Sequence, residues 1–421
     1  MEITAPRGTR DIMFEEARLW QRAEEALRQL ADLYGYSEIR TPIFEHTELF
    51  VRGVGEATDI VEKEMYTFSD RGGRSITLRP ENTAPVMRAF VEHNMGAKAQ
   101  PTKLFYFGPM FRYERPQAGR FRQFHQMGIE YTGSASPMAD AEVIRFSLDY
   151  FKMLGIKQVK VHLNSIGCPD CRPRYKEALK DAYRPNLESL CESCKKRFEV
   201  NPLRLLDCKS PECRAIVPDP PEVEDFLCGD CLEHFTKLKG CLKALGVEYV
   251  KDPRLVRGLD YYTKTTFEFT SEGLGSQDAI GGGGRYDGLV QEVGGAPTPS
   301  VGVACGMERL ITVARAQGGL EVDSAKPVAY LAGLGEAGTA KAMELAFKLR
   351  EDGLAAEFDT IGRSLKAQMK YADKLGARFV AIIGDEEIAK GVAVVKDMAE
   401  GNQLEVRFDD LAQHVQRAVR P

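Results

Sequence analysis

The stretch KLFYFGPMFRYERPQAGRFRQFHQMGIEY, residues 103–131, decides how this chain is read. Two apolar and aromatic runs flank a loop of arginine, proline and glycine, the pattern of two strands joined by a tight connection. Successive side chains of a strand point to opposite faces, so Arg122, Phe124, Gln126, Gly128 and Glu130 share one face of the second strand. Arg112 and Glu114 share a face of the first. Arginine, glutamine and carboxylate among phenylalanines are costly to bury unless they meet partners or a ligand. The face is therefore either solvated or the wall of a pocket, and Phe124, whose ring can stack on a purine, argues for a pocket. The loop at 115–120 adds Arg115 and Arg120, whose rigid forks of donors suit phosphate, although an ordinary basic hairpin has the same composition.

Working outward, residues 11–33 carry apolar positions at a helical period, with Asp11 as a candidate N-cap and Gly35 as a candidate C-cap. Residues 75–78 read as a further strand, and 84–94 and 139–153 as helices. Sheet-like patterning returns over 255–270. It opens with Leu255-Val256-Arg257-Gly258-Leu259-Asp260-Tyr261-Tyr262, where one arginine and one aspartate sit among apolar and aromatic residues. Arg257 either pairs internally with Asp260 or serves an outside anion. The run Gly281-Gly282-Gly283-Gly284 lacks the spacing of a dinucleotide fingerprint and has no P-loop lysine; by itself it reads as a turn. A strand at 300–304 then enters a helix from Met307. This places Arg309 in the first helical turn, where the dipole favours a phosphate, or else simply on the surface. Beyond a charged linker at 321–326, strands alternate with helices, which predicts a small α/β domain with a mostly parallel sheet.

At 421 residues the chain is too long for a single hydrophobic core. Its 43% hydrophobic and 28% charged residues, with mixed signs throughout, exclude a disordered or fibrous protein. A net charge of −5 means that any nucleic-acid contact must come from local basic patches. No signal peptide, lipidation signal or membrane-spanning run is visible, so no membrane role is expected and the cytoplasm is the expected compartment. Eight of the ten cysteines fall between residues 168 and 231, a stretch rich in proline and charge that reads as an insertion. Cys168/Cys171, Cys191/Cys194 and Cys228/Cys231 have two-residue spacing and Cys208/Cys213 a four-residue gap, so these pairs are candidate zinc knuckles; buried free thiols are the alternative. Cys241 and Cys305 have no neighbour in sequence and read as packing residues.

Taken together, these segments resemble the three signature motifs of class II aminoacyl-tRNA synthetases in chain order: residues 40–45 the first, 111–130 the second and 302–310 the third. Residues 78–84, 255–263 and 282–288 are similar to segments of the histidyl-tRNA synthetase family. The resemblance implies an α+β catalytic domain over 1–325, with an antiparallel sheet flanked by helices, interrupted by the cysteine-rich insertion at about 168–240. It implies an anticodon-binding α/β domain with a mostly parallel mixed sheet over 326–421. It further implies a homodimer that uses ATP with magnesium to activate L-histidine, then charges the 3′ end of tRNA(His). On this resemblance Arg257 and Arg112 would be catalytic, gripping the α-phosphate and the carboxylate, while Arg309 would hold the terminal phosphate. Arg120 would assist with phosphate and Phe124 would stack on adenine. Glu81, Thr83 and Gln126 would meet the α-amino group, Glu130 and Tyr262 would bracket the imidazole, and Tyr261 would shape the pocket. Asn82 departs from the glycine usual in the family and is carried over as a substrate-binding position because asparagine tolerates unusual backbone angles. A synthetase-like regulatory subunit of histidine biosynthesis is the rival reading; Arg112, Arg257, Arg309 and the carboxy-terminal domain oppose it.

Overall fold

The computed structural model describes residues 3–56, 58–117, 119–272, 278–322 and 326–419. Ala118 of the arginine loop and residues 323–325 of the linker lie outside the described residues. The chain divides into two compact units, Met1–Val322 and Asp323–Pro421.

In chain order the strands of the first unit are β1 (Ser37–Glu38), β2 (Phe44–His46), β3 (Tyr66–Ser69), β4 (Ser75–Leu78), β5 (Thr102–Phe111), β6 (Gln123–Thr132), β7 (Val159–Ser165), β8 (Val250–Lys251), β9 (Thr263–Ser271), β10 (Ala279–Arg285) and β11 (Ser300–Gly306). The main sheet has eight strands in the order β1-β5-β6-β11-β10-β9-β7-β8, antiparallel except at its two parallel edge pairs. The stretch that opened the reading is the β5–β6 hairpin, in register from Thr102 opposite Thr132 to Phe111 opposite Gln123. Its period-two alternation is real. Met127 and Ile129 are fully buried in a core shared with helices Phe14–Tyr34, Pro137–Met153 and Met307–Ala316. Phe124, Gln126 and Glu130, offset by one residue, face the other way.

Four local expectations change. The hairpin strands stop at Phe111 and resume at Gln123, so Arg112, Glu114 and Arg122 lie in the connection and not on a strand face. The first helix begins at Phe14, not at Asp11, with Met13 at its N-cap and no side-chain cap; Glu15 and Glu16 meet the positive end of the dipole instead. Gly35 does close it, at φ 73°, donating to the carbonyls of Ala31 and Asp32. The glycine run is not a turn but the centre of β10, because side chains would not fit there. A Cβ on Gly281 would lie 2.2 Å from Cys305 Sγ, and one on Gly283 would lie 2.0 Å from the Gly302 carbonyl oxygen. Residues 255–262 are not strand; β9 starts only at Thr263.

The insertion folds as short helices, Arg172–Tyr183, Glu192–Val200 and Pro211–Ile216, around its own small core of Tyr175, Leu179, Phe198, Leu206, Cys194 and Cys213. The helix Gly229–Ala244 then returns to the main core through Phe235, Leu238 and Leu242. Beneath the sheet, Arg285 and Asp140 are fully buried as an ion pair. Arg285 also donates to the Ser134 and Ser136 carbonyls and to Asp287, and His234 Nε2 lies 3.3 Å from Asp140. Every charge in this network has several partners, which is the condition for burying it. The small sheet β2-β4-β3 leaves Phe44 and Phe68 exposed.

In the second unit, β12 (Ala329–Gly333), β13 (Ala356–Phe358), β14 (Phe379–Ile383), β15 (Val392–Asp397) and β16 (Gln403–Arg407) form a sheet in the order β13-β12-β14-β15-β16. The first three are mutually parallel and the last two antiparallel, so the sheet is mixed. Helices Gly335–Glu351 and Leu365–Leu375 cover it.

Candidate active site

A cavity of about 280 Å³ lies on the polar face of the main sheet. Arg112, Arg120, Phe124, Arg257 and Arg309, which come from three separate segments of sequence, all line it. Each cation is held by the fold. Arg112 Nε donates to the Pro80 carbonyl at 2.8 Å, and its guanidinium lies 5.2 Å from the Phe124 ring centroid. Arg120 bonds Glu114 at 3.1 Å. Arg309 sits at the start of helix Met307–Ala316 and donates to the carbonyls of Ala279 and Gly119. Beneath β6, Glu308 of the same turn accepts from the His125 backbone N–H, which anchors helix to strand.

Arg257 is not paired with Asp260. Its Nη1 lies 2.5 Å from Glu268 Oε2, and its Nε is buried with no hydrogen-bond partner among the described residues. The register places Glu268 opposite Gly282, and a Cβ on Gly282 would lie 2.6 Å from the Arg257 guanidinium. The glycine there makes room for the arginine. Glu268 escaped the sequence reading, though as the one carboxylate of β9, set between Phe267 and Phe269, it carried a signal.

Behind the arginines lies a buried set of carboxylates and hydroxyls. Glu81 accepts from the backbone N–H groups of Thr83 and Ala84 and so caps the helix Thr83–Glu92. Thr83 Oγ1 donates to Glu130 Oε1 at 2.8 Å, and the Tyr286 hydroxyl donates a short bond to Glu130 Oε2. Burial pushes the Glu130 carboxyl up to about 8 against the pull of these two donors. Tyr286, unnoticed as a site residue, is therefore the direct partner of Glu130. Tyr262 stands nearby, its ring 6.3 Å from that of Tyr286, and Tyr261 lies between them at 5.5 Å from Tyr286. Gln126 Oε1 is buried and has no partner among the described residues, an acceptor in need of a donor. The floor is backbone: a Cβ on Gly302 would lie 2.0 Å from Glu130 Oε2, and one on Gly128 would lie 2.3 Å from the Tyr106 hydroxyl.

Asn82 stands apart. Its φ of −120° is ordinary, so the tolerance expected of asparagine is not used. Its side-chain oxygen accepts from Thr41 Oγ1 at 2.6 Å and from Arg79 at 3.2 Å. That tie leads to the first-motif segment rather than to the pocket.

The histidyl-tRNA synthetase family model matches residues 8–171 and 172–310, and an anticodon-binding domain model matches 329–418. The chain belongs to the histidyl-tRNA synthetase family. A histidine–tRNA ligase from Pelotomaculum thermopropionicum is 55% identical over 420 residues, covering 100% of this chain and 99% of that one. One from Desulforamulus reducens is 54% identical over 98% of each. The apo histidyl-tRNA synthetase of S. aureus superposes with a TM-score of 0.82 at 38% identity, covering 99% of this chain and 100% of that one. As a member of the histidyl-tRNA synthetase family, the protein is an ATP-dependent ligase that activates histidine as its adenylate and transfers it to tRNA.

Proposed function

We propose that Arg257 and Arg112 grip the α-phosphate of ATP and the histidine carboxylate as that carboxylate attacks phosphorus and pyrophosphate leaves. The convergence of Arg112, Arg257 and Arg309 on one cavity with Phe124 carries this reading. Arg309 and Arg120 hold the leaving phosphates, and Phe124 stacks on adenine. Catalysis here is positioning and charge neutralisation in a site whose donors are fixed beforehand. Glu114 and Glu268 supply the hard oxygen donors that suit magnesium, which when bound offsets polyphosphate charge.

Glu81, Thr83 and Gln126 receive the α-ammonium group, Gln126 through its unpartnered oxygen. Glu130, with Tyr286 behind it, faces one imidazole nitrogen and Tyr262 the other. A pocket built to hydrogen-bond both ring nitrogens rejects isosteres that cannot. Tyr261 shapes the wall. Asn82 has no part in substrate contact on this reading.

The acceptor is tRNA(His), its anticodon read by the domain over 326–421, following the catalytic domain over 1–325; the enzyme works in the cytoplasm. A homodimer forms through the first motif, supported by the exposed Phe44 and Phe68 of the small sheet beside it. Zinc occupies two four-cysteine sites in the insertion: Cys168, Cys171, Cys228 and Cys231 cluster together, as do Cys191, Cys194, Cys208 and Cys213. Within each set the sulfurs lie within 4.8 Å of one another, and a Zn–S length of about 2.3 Å puts tetrahedral sulfurs about 3.8 Å apart. The Cys228 N–H donates to Cys171 Sγ at 3.1 Å and the Cys191 N–H to Cys213 Sγ at 3.2 Å, and a backbone donor on sulfur stabilises the thiolate a metal needs.

Amino-acid-dependent exchange of pyrophosphate into ATP, run across all twenty amino acids, tests the assignment. Exchange is expected with histidine alone and is lost in Arg257→Ala; folded protein without histidine-dependent exchange overturns it.

A further inference from the structure

The segment 255–262 carries Arg257, Tyr261 and Tyr262, yet it is coil, and the sheet does not hold it. Side chains take its carbonyls instead. Asn164 Nδ2 of β7 donates to the Leu255 carbonyl at 3.0 Å, Arg204 Nη2 to the Gly258 carbonyl at 2.7 Å, and Arg172 Nη2 makes a short bond to the Tyr262 carbonyl. Two of these three braces come from the cysteine-rich insertion. Arg172 directly follows Cys171 at the start of its helix, and Arg204 lies in the short turn between Cys194 and Cys208. Each brace is therefore seated beside a different cysteine cluster. Asn201, from the same turn as Arg204, adds a bond to Asp260 at 3.4 Å, and Val256 packs on the insertion core. A second cavity, of about 250 Å³, lies along this seam, lined by Arg172, Lys176 and Arg204 on one side and by Arg257, Asp260 and Tyr262 on the other.

The insertion is poorly equipped to hold those arginines by packing alone. Its helices span 12, 9 and 6 residues, and buried cysteines make up part of its core. A module of this size usually needs a staple, and metal binding to such a module is folding free energy.

We infer that the two metal clusters set the histidine-binding segment: loading the insertion seats Arg172 and Arg204, and these position residues 255–262 for the amino acid. The inference rests on the zinc reading above. Arg172 and Arg204 are positioning residues. ATP is held mainly by Arg112, Arg120, Arg309 and Phe124 on hairpin and helix, with Arg257 the one contact from the segment, so ATP binding depends on the insertion far less than histidine binding does.

The test uses the full-length enzyme purified without added zinc. Two equivalents of zinc are expected, one of them lost in Cys208→Ser/Cys213→Ser and the other in Cys228→Ser/Cys231→Ser. Less than half an equivalent in folded wild-type protein overturns the metal reading. Arg204→Met, with both zinc ions retained, is expected to raise KM for histidine about 10-fold in pyrophosphate exchange, while KM for ATP stays within about 2-fold; Arg204→Lys, which keeps a charged donor, recovers most of the loss. The Cys208→Ser/Cys213→Ser enzyme should show the same split, whereas loss of fold alone would depress both substrates together. Unchanged histidine KM in zinc-replete Arg204→Met, or equal changes for both substrates, overturns the coupling and leaves the zinc sites standing.

Discussion

The pocket has two walls built by different means. One belongs to the β5–β6 hairpin and its sheet neighbours, where ladder register fixes Gln126 and Glu130 and the Arg285–Asp140 pair is locked beneath. The other is the coil 255–262, fixed by side chains reaching in from β7 and the insertion. A wall made of register fails only when the sheet fails. A wall made of braces can slacken while the fold survives.

Perturbations of what supports the first wall should therefore register as stability, and those of the second wall, or of a side chain that either wall offers to substrate, as catalysis or binding. Arg285→Met leaves Asp140 buried without its main partner and is expected to cost about 3–5 kcal/mol, seen as a lowered urea midpoint. If the fold keeps its stability, the network is not structural and the contrast breaks. Arg257→Ala removes the charge proposed to meet the reacting phosphate and should lower kcat about 10²–10³-fold, with the urea midpoint little changed. Gln126→Met tests whether the unpartnered oxygen serves the substrate ammonium. A bond to a charged group is worth about 1.5–3 kcal/mol, so KM for histidine should rise about 10- to 100-fold with KM for ATP unmoved.

The smallest effect concerns protons. Burial raises the Glu130 carboxyl to about 8, so near pH 7 the ligand-free pocket holds a proton that the unfolded chain would have released. The unfolded state thus binds fewer protons between about pH 4.5 and 8, and this group's contribution to stability falls as pH rises through that window. An imidazole N–H donated to Glu130 favours the carboxylate, so histidine binding near pH 7 should release close to one proton. Calorimetry in buffers of different ionisation enthalpy reads this directly. Release that persists in Glu130→Gln would assign the proton elsewhere.

The first wall was legible because a strand writes its geometry into the sequence at period two. Phe124, Gln126 and Glu130 were found that way, and Arg309 by the junction of strand and helix. The second was legible only as composition. Arg257 stood out as a cation among apolar residues, but its partner Glu268 and its braces Arg172 and Arg204 are set by contacts that no local period encodes. The glycine run was misread for a related reason: what demands glycine at 281–284 is the crowding of neighbouring strands, not a turn. Tyr286 was hidden in the same way, since its link to Glu130 spans 156 residues of sequence.

The glycines at 128 and 302 close off one route of evolutionary change. Any side chain there would collide with Tyr106, or with Glu130 and Tyr286, so the depth of the proposed amino-acid pocket is set by main chain and is not open to tuning one residue at a time. Recruiting this scaffold to a smaller amino acid would require a coordinated exchange of floor and lining, with every single-step intermediate paying a steric penalty. Two absent methyl groups thus hold the pocket to one depth.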